Sequence, residues 1–195
     1  MLDQTPIAKN RGVFVIKSWK PFQYKGTSYQ LNHLDEFNWE FIQPAIKDKP
    51  EKRYAFVIAF GLHCFTRGLN SHAQETWQDI EMDLIYSDSR EKRIFCFSRY
   101  ELSYLLPEIA KQVDHRSCFH TGKGNFFTIE LSNQQEYEVY FKVSKSGKGL
   151  LRLFIESAYV RDKQHASSRP QKKKISFFVI AHHIQSNKPI KIPPK

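Results

Sequence analysis

Alternation with period two from Tyr137 to Glu156 limits what this chain can fold into more than any other feature. Tyr137, Val139, Phe141 and Val143 fall on one side of an extended segment, with Glu138, Tyr140, Lys142 and Ser144 on the other. Past Gly147 and Gly149 the pattern resumes, with Leu151, Leu153 and Ile155 against Arg152, Phe154 and Glu156. Phe127, Ile129 and Leu131 continue the first set, and Phe126, Thr128 and Glu130 the second. Short links of this kind predict antiparallel pairing, because parallel neighbours need long crossovers, which this reading does not find. Strands are predicted at Tyr137–Ser144, Leu150–Val160 and Ile175–His182, the last apolar on both faces and so expected to be covered on both.

The preceding chain reads the same way. Val13–Ile16 is a short β-branched strand, and Phe22–Tyr29 a hairpin turning at Gly26. Phe37–Ile42 is a strand ending at Gln43-Pro44, and Arg53–Phe65 a central strand ending near His63-Cys64. Residues 66–78 read as a mobile loop. Ile80, Met82 and Leu84 alternate with acids before Ser87-Asp88-Ser89 turns the chain into Arg93–Phe97, a further hairpin. Ser98 and Glu101 have capping-box spacing at the head of a helix over 98–113, which Pro107 should kink or restart. His120–Asn125 is a predicted flexible loop. The expected fold is α+β: a mainly antiparallel sheet of about nine strands in several hairpins, with one principal helix. Residues 1–195 form one domain, with loose ends at 1–11 and 184–195 and a basic hairpin region at 137–183.

Charge is concentrated at one end. From Lys142 onward there are 13 Lys or Arg against two acids, whereas residues 1–141 hold 17 against 18. A near-neutral body with a basic end points to a polyanionic partner, nucleic acid before a membrane surface. The second face of the C-terminal strands mixes planar side chains with cations, as single-stranded RNA binding requires. The expected contacts are Tyr140, Lys142, Lys145, Lys148, Arg152, Phe154, Arg161, Arg169, Lys172, Lys173 and Lys174, with RNA favoured over DNA. The competing structural reading covers that face with a second layer, pairs Arg152 with Glu156, and leaves Lys172–Lys174 as a solvated edge. An acidic protein is the alternative partner. A small anion held by Arg152, Arg161 and the Gly122–Gly124 loop is a third reading.

No apolar run is long enough to span a membrane, and the first residues lack a signal-peptide pattern. Cys64, Cys96 and Cys118 form no close pair, which fits reduced thiols in a cytoplasmic setting. No phosphate-loop, zinc-protease or nucleophile-elbow signature occurs, and no metal or cofactor is expected. Asp79, Glu81 and Asp83 could serve metal-dependent hydrolysis, though alternating acids on an exposed strand are the commoner explanation. Metal-independent RNA cleavage would need a base, an acid and a cation. His120 or His63 with Arg152, Arg161 or Lys142 would supply them. That would make the protein a small endoribonuclease of bacterial toxin or phage-defence type. Eight histidines in 195 residues also produce such combinations by chance.

Several stretches together resemble a proteobacterial family of uncharacterised function. They are Asn32-His33-Leu34, His63-Cys64-Phe65-Thr66-Arg67, Arg99-Tyr100-Glu101-Leu102-Ser103, Asn125-Phe126-Phe127-Thr128 and Tyr137-Glu138-Val139. Glu156-Ser157-Ala158-Tyr159-Val160-Arg161-Asp162 and Lys188-Pro189-Ile190-Lys191 complete the set. Members carry labels such as "heat-shock protein" or "stationary phase growth adaptation protein", which name circumstances and not chemistry. The resemblance covers most of the chain, implies a bacterial cytosol and a role in stress, mobile elements or phage conflict, and transfers no catalytic residue.

Overall fold

Lys25 and Gly26, with φ of 47° and 78°, turn the chain between β1 (Phe22–Tyr24) and β2 (Thr27–Tyr29). Positive φ at both central residues is the turn whose twist suits a two-residue hairpin, which is why glycine stands there. The structure is a computed structural model and describes residues 18–121, 125–130, 136–161 and 173–190, with backbone alone at 125–130. The strand expected at Val13–Ile16, the Gly122–Gly124 loop, Arg169 and Lys172 lie outside the described residues.

β3 (Phe37–Gln43) pairs antiparallel with β4 (Lys52–His63), close to the predicted bounds. A small sheet follows, made of β5 (Thr66–Arg67), β6 (Ile85–Ser87) and β7 (Lys92–Phe95), so part of the predicted 66–78 loop is a strand. The expected alternation at Ile80–Leu84 is instead a 3-10 turn over Met82–Leu84, and only Ile85–Ser87 extends. The predicted single helix divides into α1 (Phe97–Ser103) and α2 (Leu106–Lys111). Pro107 has no amide to offer the carbonyl four residues back, so the chain breaks at Tyr104 and restarts with proline in a first turn, where no donor is needed. Helix α1 begins two residues earlier than its capping spacing implied. Cys96 takes the cap position, and the Ser98–Glu101 box does not form.

The chain then lays down β8 (Cys118–His120), β9 (Asn125–Glu130), β10 (Glu136–Gly147), β11 (Leu150–Val160), β12 (Lys173–Ile175) and α3 (Phe177–Gln185). His120, expected in a loop, ends β8 and pairs with Asn125. The predicted strand Ile175–His182 is largely helix. Phe177, Ile180 and Ala181 are buried at spacings of three and four, while Val179 faces solvent. Apolar residues on both sides of a supposed strand are here the wide inward face of a short helix. Past Gln185, Ile190 still packs against the core, so the expected loose tail does not begin at 184.

The large sheet runs β12-β8-β9-β10-β11-β4-β3. Its neighbours are antiparallel except β11 and β4, where Leu150–Ile155 run in the same direction as Ala55–Phe60. The long crossover that a parallel pair needs is therefore present, and consists of the whole chain between His63 and Leu150. Tyr137, Val139 and Phe141 share one face with Leu151, Leu153, Ile155, Phe56, Ile58 and Phe60, all buried. Helix α3 closes this face, its Phe177 ring 4.7 Å from Phe41 and 5.5 Å from Phe56. Among the described residues no helix is long and apolar enough to cross a membrane.

Candidate functional site

The opposite face carries the residues of interest. Opposed positions in a sheet point the same way, so register alone sets rows across it. One row runs Lys174, Phe119, Phe126, Tyr140, Ser157 and His63. The next holds Lys142, Phe154 and Ala59, and a third Ser144, Arg152, Val57 and Asn38. Phe154 lies down over β4 because Gly61 has no side chain. A Cβ at Gly61 would stand 3.1 Å from the Phe154 ring and 2.7 Å from the Glu156 carbonyl oxygen.

Three of the predicted cations on this face are matched to carboxylates. Lys142 meets Glu156 at 2.9 Å, Arg152 meets Glu36, and Arg161 meets Glu138 at 2.8 Å. The expected Arg152–Glu156 pair is not made. Lys145 and Lys148 stand exposed at the β10–β11 turn, while Lys173 and Lys174 sit on the strand at the far edge, and none of the four makes an ion pair among the described residues. The basic residues thus divide between a neutralised centre and two separate margins.

At one end of the face, Glu138 is fully buried and receives the Arg161 Nε at 3.0 Å and the Tyr140 hydroxyl at 2.8 Å. The Tyr159 hydroxyl donates to Tyr140 at 3.2 Å, and the two rings stack 5.6 Å apart. Hydrogen bonding to Glu138 holds the Arg161 guanidinium above its ordinary range, and burial foremost pushes the Tyr140 phenol up, so neither titrates near neutral pH. Arg99 reaches in from α1. Its Nη1 donates to the carbonyls of His63 at 3.2 Å and Thr66 at 2.8 Å, and its guanidinium lies 4.9 Å from the Tyr159 ring. It forms no ion pair among the described residues, and burial lowers its pKa. Arg93 donates to the Thr66 hydroxyl at 2.9 Å and to Glu91 at 3.3 Å, and His63 bonds the same carboxylate at 2.9 Å.

Arg99 and Glu138 were not among the predicted site residues. Arg99 reads in sequence only as part of a helix start, and Glu138 as one more acid on a polar face. The signal that could have found them lies in the stretches that carry the family resemblance. His63–Arg67, Arg99–Ser103, Tyr137–Val139 and Glu156–Arg161, far apart in the chain, converge here.

The nuclease parts are not brought together in the same way. His120 shares its register position with Asn125 and Phe141, on the helix-covered side, whereas Arg152 and Arg161 stand on the other. His63 is on the open side but bonded to Glu91. Asp79 caps Thr76 and Glu81 bonds Lys25 and Tyr24, so the three acids do not converge. Among the described residues no group of three His, Cys, Asp or Glu could hold a metal ion. Cys64 is buried and its thiol is pushed up to about 12, which rules it out as a nucleophile near neutral pH.

Comparison with known proteins places this geometry in context. A model of the YjaZ family matches residues 21–185. Protein YjaZ of Escherichia coli strain K12 is 29% identical over 187 residues, covering 92% of this chain and 98% of that protein. No solved structure matches the chain.

Proposed function

This chain belongs to the YjaZ family, and we propose that it binds single-stranded nucleic acid, RNA before DNA, across the second face of its sheet. The observation that carries this reading is the register that sets Phe119, Tyr140 and Phe154, planar residues, in adjacent rows flanked by Lys142 and Lys174. Each stacked base contributes about 1–3 kcal/mol on such a surface. The Lys142–Glu156 pair is about half exposed and therefore weak, so a phosphate can take the place of Glu156. Arg99, without a carboxylate partner among the described residues, gives a second phosphate position. The buried Arg161–Glu138 pair serves as scaffold, holding Tyr140 and Tyr159 in place. The reading is of binding and not cleavage, because His120 and the arginines lie on opposite faces. A cytoplasmic setting is part of this proposal and fits the three free thiols.

Fluorescence anisotropy with labelled oligouridylate tests it. Affinity is expected to fall linearly with the logarithm of salt concentration. Phe154→Ala and Lys142→Ala should each weaken it roughly tenfold, and the deoxy analogue should bind less tightly. Absence of binding at about 50 mM salt, or binding that both variants leave unchanged, overturns the proposal. Binding of polyglutamate without RNA would favour an acidic protein partner instead.

A further inference from the structure

The connection between β3 and β4 and the outer side of α3 enclose a cleft of about 650 Å³, away from the stacking face. That volume is within the range of small-molecule sites. Its walls are apolar: Pro44, Ile46, Pro50, Tyr54, Phe178 and Val179. Ile46 and Val179 are exposed for large aliphatic residues, at 57% and 43%. Its polar groups are mainly basic. Lys49, Lys52, His182 and His183 line it, and its acid, Glu51, is drawn off to Arg53 at 3.0 Å. Lys52 Nζ stands 3.3 Å from His182 Nδ1 and 4.6 Å from the centre of the Tyr54 ring. Neither Lys49 nor Lys52 has a carboxylate partner among the described residues.

Two nitrogen groups held together without an anion, at the mouth of an apolar cleft, define a complementary ligand. We propose that this cleft binds an organic carboxylate with an apolar body. The carboxylate bridges Lys52 and His182, and the hydrocarbon lies against Tyr54, Phe178 and Val179. Since the ammonium can only donate, His182 Nδ1 is the acceptor in the unliganded protein and the ring is neutral. A bound carboxylate accepts from Lys52 and favours protonation of His182, so binding takes up a proton. The charged groups facing His182 are Lys49 and Lys52 across the cleft, and His183 and Lys188 on its own side. Burial first, then these neighbours, hold it below its ordinary pKa without a ligand. Affinity therefore rises as pH falls through the histidine range.

Octanoate is the probe, titrated calorimetrically into the full chain, with octanol, octylamine and inorganic phosphate as comparisons. Octanoate should bind at least roughly tenfold more tightly than any of the three. Lys52→Met should lose roughly tenfold in affinity, and His182→Gln should remove the pH dependence between about 5.5 and 7.5. Circular dichroism checks that both variants stay folded. Equal affinity for octanol would reduce the cleft to an apolar groove, and equal affinity for phosphate to a simple anion site. Either result, or no octanoate binding up to about 10 mM, overturns the proposal.

Discussion

Arg161 grips Glu138 through Nε at 3.0 Å and Nη2 at 2.8 Å, and the carboxylate it grips has no solvent exposure. Both charges come from the long hairpin of β10 and its continuation past β11, and two tyrosine hydroxyls complete the set. Removing one partner strands the other charge in a dry environment. Arg161→Met or Glu138→Leu alone should each cost about 3–5 kcal/mol, measured by urea denaturation. The double variant should recover much of that, because an apolar pair of similar volume leaves no charge unmatched. If the double variant is as unstable as the sum of the singles, the two side chains act independently.

His33 gives a pH dependence of known sign. Ser103 donates its hydroxyl to the Tyr100 carbonyl at 2.6 Å, so it accepts from His33 Nε2–H at 2.7 Å. That leaves His33 Nδ1 buried without a partner among the described residues, under a Tyr104 ring stacked 3.8 Å away. Burial lowers the His33 pKa from 6.5 to about 4. The unfolded chain therefore binds the extra proton first, and this contribution to stability, complete above about 6.5, is lost as pH falls toward 4. Denaturation midpoints at pH 7 and pH 4.5 should differ less in His33→Gln than in the parent. An unchanged difference would place the titration elsewhere.

Gly61 is fixed by close approach. Its Cβ-free position lies against the Glu156 carbonyl, a backbone atom at the irregularity where Glu156 is passed over between Ile155 and Ser157. Gly61→Ala should destabilise by about 1–3 kcal/mol, read from the thermal midpoint, because a carbonyl cannot swing aside as a side chain can. A stabilised variant would show that the β11 backbone gives way freely.

The packing of α3 is tested through its two sides. Phe177→Ala should cost about 3–5 kcal/mol by opening a hole against Phe41 and Phe56, while Val179→Ala should change stability by less than about 0.5 kcal/mol. Chemical denaturation of the two variants checks both, and similar losses would be incompatible with Val179 facing outward.

Period two found β3, β9, β10 and β11, while β4 was read from a continuous β-branched and aromatic run, as a strand buried on both faces must be. Period two misread α3, since the five-residue apolar run Phe177–Ala181 is too short to carry a period that separates two inward strand faces from one wide helix face. Pro107 announced the break between α1 and α2, as a missing amide must. The junction of β11 with β4 was invisible, because nothing local distinguishes a strand's distant neighbour. The candidate site was half legible. Lys142 and Arg152 were expected on one face and Arg161 in the connection beyond it, but Glu36, Glu138 and Glu156, which neutralise the three, come from three separate parts of the chain. Arg99 had no local signature, since its role depends on carbonyls more than thirty residues upstream.

The parallel junction of β4 and β11 has a consequence during synthesis. β4 emerges from the ribosome early, with Phe56, Val57, Ile58, Ala59 and Phe60 all destined for burial, yet the strand that seals its inner edge is translated only after Leu150. A nascent chain stalled before that point presents an open, apolar strand edge to its surroundings, the surface most prone to aggregate and to recruit chaperones. Most of the chain must therefore be made before its sheet can close.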